Sequence, residues 1–152
     1  MNNQELQILT EELSLEFFGR PFVHQIIFNR RLRTTGGRYL LRTGNIDINN
    51  RVYELYGREE LISIIKHELC HYHLHQQGRR HQHRDQCFRE LLTKVGGARH
   101  VKALISEKER PYKYRLICRK CGQEYYRKRK VDVHKRRCGK CYGKLELFYL
   151  DQ

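Results

Sequence analysis

The chain lacks long apolar runs and has few acidic residues: 17 Asp or Glu stand against 31 Lys or Arg in 152 residues. No stretch approaches the roughly 18 to 20 apolar residues that cross a bilayer, which excludes a transmembrane helix and gives no reason to expect a membrane partner. Residues 1–10 show no apolar segment after a basic start, so no secretory signal is predicted. We therefore expect a cytoplasmic protein.

Cysteines are few but clustered toward one end. Four of the six follow the pattern Cys118-x2-Cys121 and Cys138-x2-Cys141. Two such pairs in a short polar segment are typical of a tetrahedral structural zinc site, and a segment of about 40 residues needs such a staple because its core is too small. Two disulfides are the alternative, but a reducing cytoplasm favours the metal. Cys70 and Cys87 are then expected to be ordinary buried thiols.

A second candidate metal site is the run His67-Glu68-Leu69-Cys70-His71. Residues four apart share one face of a helix, so both imidazoles can reach one zinc ion. Glu68 lies on nearly the same face, where a carboxylate can deprotonate a water whose pKa the metal has lowered. The pattern predicts half of a catalytic zinc site, with Glu68 as general base and Cys70 directed away.

Catalytic zinc usually keeps three protein ligands, so one more is needed. Leu74 and Gln77 stand where the metzincin continuation has glycine and histidine, which excludes that subclass. Beyond Gly78, a plausible helix end, lies His83, just before a second helix. It is the favoured third ligand, with His81 and Glu90 as alternatives.

These features together resemble the SprT-like zinc metallopeptidases of the short bacterial type, which are related to the protease domain of Spartan, a DNA-protein crosslink protease. The resemblance rests on the motif at 67–71, on the later His83 followed by a helix near Phe88, and on the four cysteines. It implies a small zincin-like, gluzincin-type fold, zinc-dependent proteolysis near DNA, and His67, His71 and His83 as metal ligands with Glu68 as the base.

Positive charge is concentrated in residues 99–144, which hold 17 Lys or Arg against 4 Asp or Glu. Interleaved tyrosines offer stacking surfaces for single-stranded bases, and dense cationic runs bind phosphates. We expect DNA binding, single-stranded and without sequence specificity, because no groove-reading helix is recognisable. The residues expected to contact nucleic acid are Arg127, Lys128, Arg129, Lys130, Lys135, Arg136 and Arg137.

The predicted architecture is α+β, in which a metallopeptidase domain over residues 1–100 and a linker over 101–111 precede a basic zinc ribbon over 112–152. Two zinc ions are expected, one catalytic and one structural. Two functions are considered: a zinc metalloprotease acting on proteins bound to or near DNA, or a non-catalytic, zinc-stabilised nucleic-acid-binding or regulatory protein. Apolar periodicity predicts helices over 3–18, 58–77 and 85–95, and strands over 23–28, 39–42, 45–52, 112–117 and 144–150.

Overall fold

A computed structural model of the chain describes residues 1–106 and 108–150. It contains three helices and two small three-stranded sheets, distributed over two compact units. The first unit is Met1–Leu104 and the second begins at Ile105. Within the described residues, no helix is both long and apolar enough to cross a membrane. The elements are α1 (Asn3–Phe18), β1 (Ile26–Phe28), β2 (Gly37–Tyr39), β3 (Ile46–Ile48), α2 (Asn50–Gln76), α3 (Gln86–Val95), β4 (Tyr114–Cys118), β5 (Glu124–Arg127) and β6 (Leu145–Tyr149).

Helix α1 begins at a capping box. The side chain of Asn2 accepts a hydrogen bond from the Glu5 backbone N–H, and the Glu5 carboxylate accepts one from the Asn2 backbone N–H. The helix ends at Gly19 in the left-handed conformation, as the sequence predicted. Phe17, near the end of this helix, is 37% exposed, and the Lys66 ammonium lies over its ring at 3.5 Å from the centroid.

The first sheet has the order β1-β3-β2, with β1 parallel and β2 antiparallel to the central β3. The strands were predicted to be longer. The prediction of a strand over 45–52 is wrong at its end, because Asn49 caps α2, which already begins at Asn50. The predicted helix start near residue 58 follows a real break: Gly57 has φ 81° and kinks α2 there.

The core of the first unit lies between α1, the sheet and α2. Leu104 belongs to this core, and the division between the two units, after Leu104, falls within the range 101–111 given to the linker. The long α2 carries His67, Glu68 and His71 of the predicted zinc site, and Leu61, Ile65 and Leu69 are fully buried on the same helix.

The second unit is a sheet in the order β5-β4-β6, fully antiparallel. Strands β4 and β6 lie within the predicted ranges 112–117 and 144–150 apart from one residue at the end of β4, whereas β5 was not predicted. Its core is small: Cys118, Cys138 and Leu145 form one buried cluster, and Leu116 of β4 is also buried. A core of this size supports the expectation that a metal ion stabilises the unit.

Candidate metal centre

Three imidazoles converge at the middle of α2. The Nε2 atoms of His67 and His71 are 3.3 Å apart. His83, from the segment before α3, brings its Nε2 to 2.9 Å from that of His67 and 3.0 Å from that of His71. Four-residue spacing on one helix places the rings of His67 and His71 on the same face. The chain reverses direction after α2, which brings the ring of His83 next to them. The structure therefore brings together the three residues predicted to be catalytic zinc ligands.

The tautomers of two of these rings are fixed by backbone carbonyls. Nδ1–H of His67 donates to the carbonyl oxygen of Ala98 at 2.6 Å, and Nδ1–H of His71 donates to that of His81. Both Nε2 atoms therefore carry lone pairs. Burial lowers the pKa of His71 to about 4 and also lowers the pKa of His67, so neither ring is protonated at neutral pH.

Converging lone pairs repel one another unless a cation lies between them. In a tetrahedral zinc site with Zn–N of about 2.0–2.1 Å, ligand nitrogens stand about 3.3–3.4 Å apart. The observed separations of 2.9 to 3.3 Å are close to this spacing. Backbone carbonyls that hold the outer nitrogens are also a usual feature of histidine metal sites. The three residues fit a zinc ion.

A glycine permits the contact between Ala98 and His67. The backbone N–H of Ala98 donates to the carbonyl of Ser63 at 2.9 Å, which docks this segment along α2. A Cβ built at Gly97 would stand 2.6 Å from Cδ1 of Leu92 and 3.2 Å from the backbone nitrogen of His67. Only a residue without a side chain lets the segment approach so closely.

Phe88 forms an apolar boundary beside all three imidazoles. Its ring stacks on His71 with centroids 4.3 Å apart, and its centroid lies 5.3 Å from that of His67 and 5.2 Å from that of His83. Phe88 is buried at the start of α3. It therefore restricts ring rotation and excludes water from one side of the cluster.

Glu68 lies beside the cluster and is 5% exposed. Burial raises the pKa of its carboxyl to about 8, while a hydrogen bond from the backbone N–H of Tyr39 lowers it. A Cβ at Gly37 would stand 3.1 Å from Cγ of Glu68, so this glycine allows β2 to lie directly against the carboxylate side chain. A nearby cation would favour the ionised form that a general base requires.

A cleft of about 1080 Å³ opens over these residues. Strand β2 and the loop before it form one wall, α2 the floor, and the segments around His83 and Val101 the other wall. The cleft lies within the first unit and is large enough for several residues of an extended peptide.

The other predicted candidates have different roles. His81 contributes its backbone carbonyl to His71, and the carboxylate of Glu90 accepts a hydrogen bond from Gln86. Cys70 is fully buried, as expected, but Cys87 is only partly buried, and its thiol donates to the carbonyl of Arg80.

The four predicted ribbon cysteines also come together. Sγ of Cys118 lies 3.4 Å from that of Cys141, and Sγ of Cys121 lies 3.6 Å from that of Cys138. Backbone N–H groups of Lys120 and Cys121 donate to the Cys118 sulfur, each at 3.4 Å. For tetrahedral Zn–S bonds of about 2.3 Å, sulfur atoms stand about 3.8 Å apart, so the cluster fits a zinc ion.

The surroundings of the cysteine cluster shift the pKa values of two of its thiols in opposite directions. A hydrogen bond from the Tyr125 hydroxyl lowers the pKa of Cys138 to about 6, whereas burial raises the pKa of Cys141 to about 12. A bound cation would favour the thiolate form of Cys141 in spite of its burial.

The predicted nucleic-acid residues lie on the surface of this second unit. Arg127 ends β5, Lys128 lies over the ring of Tyr112 at 5.4 Å, and Lys130 lies over that of Tyr149 at 5.7 Å. Cationic and aromatic groups are thus adjacent. The remaining predicted residues, Arg129, Lys135, Arg136 and Arg137, are exposed.

The described residues define an α+β protein with a three-histidine cluster and a four-cysteine cluster, each of which could bind a zinc ion. Comparison with known proteins gives the family. The SprT-like family profile matches residues 6–109, and the chain belongs to this family, which is generally associated with metallopeptidase-like domains.

Curated relatives match almost the whole chain. "Protein SprT-like" of Bacillus cereus (strain B4264) is 53% identical over 146 residues, covering 96% of each chain. The protein of the same name from Bacillus thuringiensis subsp. konkukian (strain 97-27) is 54% identical over 147 residues, covering 97% of each. That of Bacillus anthracis (strain CDC 684 / NRRL 3495) is 52% identical over 147 residues, again covering 97% of each. No solved structure matches the chain significantly.

Proposed function

We propose that this protein is a zinc-dependent metalloprotease with a zincin-like, gluzincin-type first unit, and that it cleaves proteins bound to or near DNA in the cytoplasm. The observation that carries the proposal is the meeting of three imidazole nitrogens within 3.3 Å of one another, on and beside the helix that also bears Glu68. Metal ligands without a base would suit a structural site equally well, but a buried carboxylate one residue after a ligand suits hydrolysis.

The proposed chemistry divides between the metal and the chain. A zinc ion held by His67, His71 and His83 supplies Lewis acidity. Glu68 accepts a proton from the attacking water and delivers it to the leaving amine. The Tyr39 backbone N–H orients the Glu68 carboxylate, and Phe88 keeps water from one side of the rings.

Strand β2 offers a place for an extended substrate. It is an edge strand, and the bonds from Asn49 N–H to the Gly36 carbonyl and from Leu40 N–H to the Asn45 carbonyl join alternate residues to β3. By this alternation the backbone groups of Gly37 and the carbonyl of Tyr39 are left for a substrate at the free edge, whereas the Tyr39 N–H already donates to Glu68. A peptide that adds a strand there lies along the wall of the cleft next to Glu68.

The second unit supplies the proposed DNA contact. A structural zinc on its four cysteines stabilises the sheet, and the runs 127–130 and 135–137 bind phosphates without sequence specificity. Tyrosines such as Tyr112 and Tyr149 offer stacking surfaces to unpaired bases. Binding to DNA raises the local concentration of proteins already there.

The experiment is cleavage of a DNA-binding protein by the zinc-loaded chain, with and without single-stranded DNA, compared with Glu68→Gln. We expect cleavage that requires Glu68 and increases with DNA, and equal zinc content in both proteins. Absence of cleavage in a sample that carries two zinc ions and binds DNA would favour the second function, a non-catalytic nucleic-acid-binding or regulatory protein.

A further inference from the structure

The candidate cleft is lined by three arginines that form no ion pair within the described residues. Arg84, Arg89 and Arg99 all line it and are exposed. Among the residues that the structure describes, none of these three guanidinium groups makes an ion pair or a side-chain hydrogen bond. The only carboxylate lining the cleft, within those same residues, is Glu68, which the proposed chemistry already uses.

The other charged side chains at or near the cleft have partners of their own. Arg38 also lines it, but its guanidinium contacts the Asp47 carboxylate at 2.8 Å. Asp85 accepts a hydrogen bond from the Gln82 backbone, and Glu90 accepts one from Gln86. Both carboxylates line neighbouring hollows rather than this cleft, Asp85 together with Arg84 and Glu90 together with Arg89. Within the described residues, no ion pair joins either carboxylate to its neighbouring arginine.

We propose that Arg84, Arg89 and Arg99 determine substrate specificity: they select extended peptide segments with Asp or Glu on the residues flanking the scissile bond and disfavour segments rich in Lys or Arg. This inference rests on the proposed function. A concave wall of one sign focuses its field on whatever enters it, so uncompensated arginines act on a bound peptide more strongly than the same charges on a convex surface.

The expected size of the preference follows from exposed ion pairs, which typically contribute about 0.2–1 kcal/mol each and weaken with salt. The middle of this range, about 0.6 kcal/mol, is roughly threefold. Each arginine should therefore favour an acidic neighbour by roughly threefold, and the three together by about 30-fold at low ionic strength. A lysine-flanked peptide should be disfavoured relative to a neutral one by a similar factor.

The test uses three peptides that share one uncharged central segment and carry Glu, Gln or Lys on both sides. Binding to full-length, zinc-loaded Glu68→Gln protein is measured by fluorescence anisotropy, and cleavage by the wild type is measured as kcat/KM. Both should follow the order Glu, Gln, Lys. The variant R84Q/R89Q/R99Q should lower affinity for the Glu peptide about 30-fold and leave the Gln peptide nearly unchanged.

Two control variants remove the same number of charges elsewhere. R30Q/R31Q/R58Q changes exposed arginines of the first unit that do not line the cleft, and K135Q/R136Q/R137Q changes the second unit. Both should keep the full preference for the Glu peptide. A preference that disappears only in K135Q/R136Q/R137Q would assign it to the second unit and overturn the inference.

The failures can be told apart. If the wild type cleaves none of the peptides while Glu68→Gln protein still binds them in the expected order, the proteolytic function fails and the cleft specificity holds. If all three are bound and cleaved alike, the specificity is wrong. It is also wrong if R84Q/R89Q/R99Q weakens binding of a single-stranded oligonucleotide but not of the Glu peptide, since the arginines would then contact nucleic acid.

Discussion

Replacing Gly97 by alanine tests whether backbone carbonyls hold the histidine cluster in its metal-binding form. The added Cβ would stand 2.6 Å from Cδ1 of Leu92, 3.2 Å from the backbone nitrogen of His67 and 3.4 Å from the backbone carbon of Lys66. The leucine methyl can rotate away, but the helix backbone cannot. The segment that carries Ala98 must therefore move outward from α2.

This displacement lengthens the 2.6 Å hydrogen bond from Nδ1–H of His67 to the Ala98 carbonyl. Loss of such a partner to a metal-binding histidine typically lowers metal affinity by about 10- to 100-fold, or roughly 1.4–2.7 kcal/mol. Overpacking adds about 1–3 kcal/mol of lost stability. We expect G97A to remain folded but to bind zinc at the histidine site about 10- to 100-fold more weakly.

The assay is zinc competition against a chelator of known affinity, with cobalt substitution to separate imidazole from thiolate ligation. G139A is a matched control, because a Cβ there meets only the Tyr125 hydroxyl, at 3.5 Å, and Gly139 lies in the second unit. Circular dichroism checks that both variants are folded. Unchanged affinity at the histidine site in folded G97A would refute the role assigned to the Ala98 carbonyl.

Three further predictions concern stability and metal content. Burial lowers the pKa of His73 from 6.5 to about 4, so the unfolded chain binds more protons than the folded chain between those pH values. The free energy of unfolding therefore decreases as the pH falls through this range. His73→Gln should make this decrease smaller, as measured by urea unfolding at about pH 7 and about pH 5. Cys138→Ser should reduce zinc from two ions to one per chain by elemental analysis and weaken DNA binding, because thiolate ligation stabilises a small core. Asp47→Asn should cost about 1–3 kcal/mol in thermal unfolding, less than a fully buried pair, because its partner Arg38 is 50% exposed.

Local sequence patterns predicted the parts of the site that lie on one element. The spacing of His67 and His71 on a helix follows from helical periodicity, and Gly78 and the apolar stripe of α3 place His83 nearby. The carbonyls of His81 and Ala98 carry no side-chain signal, so no motif could identify them. Tyr39 and Gly37 were missed for the same reason, since their contribution to Glu68 is made by backbone position.

The errors at element ends have physical causes. Residues 45–52 alternate as a strand would, yet the Asn49 side chain accepts from the Arg51 backbone N–H and begins a helix at once. Strand β5 was missed because its residues, from Glu124 to Arg127, are mostly polar and exposed. Its pairing with β4 depends on partners that are distant in sequence rather than on its own apolar pattern.

The two proposals for this chain both concern positive charge: the cationic residues of the second unit are proposed to contact DNA, and the cleft arginines are proposed to contact acidic peptide segments. Cationic side chains of a DNA-binding protein that contact the phosphates are covered by the DNA. In the proposed function, a cleft with three arginines that form no ion pair would engage acidic segments of such a protein that the DNA leaves accessible, and the cationic second unit would contact the DNA. By the same reasoning the cleft would repel the runs 127–130 and 135–137 of its own chain, which protects them from cleavage by neighbouring copies. If the arginines act in this way, R84Q/R89Q/R99Q should also be the variant in which such cleavage first becomes detectable.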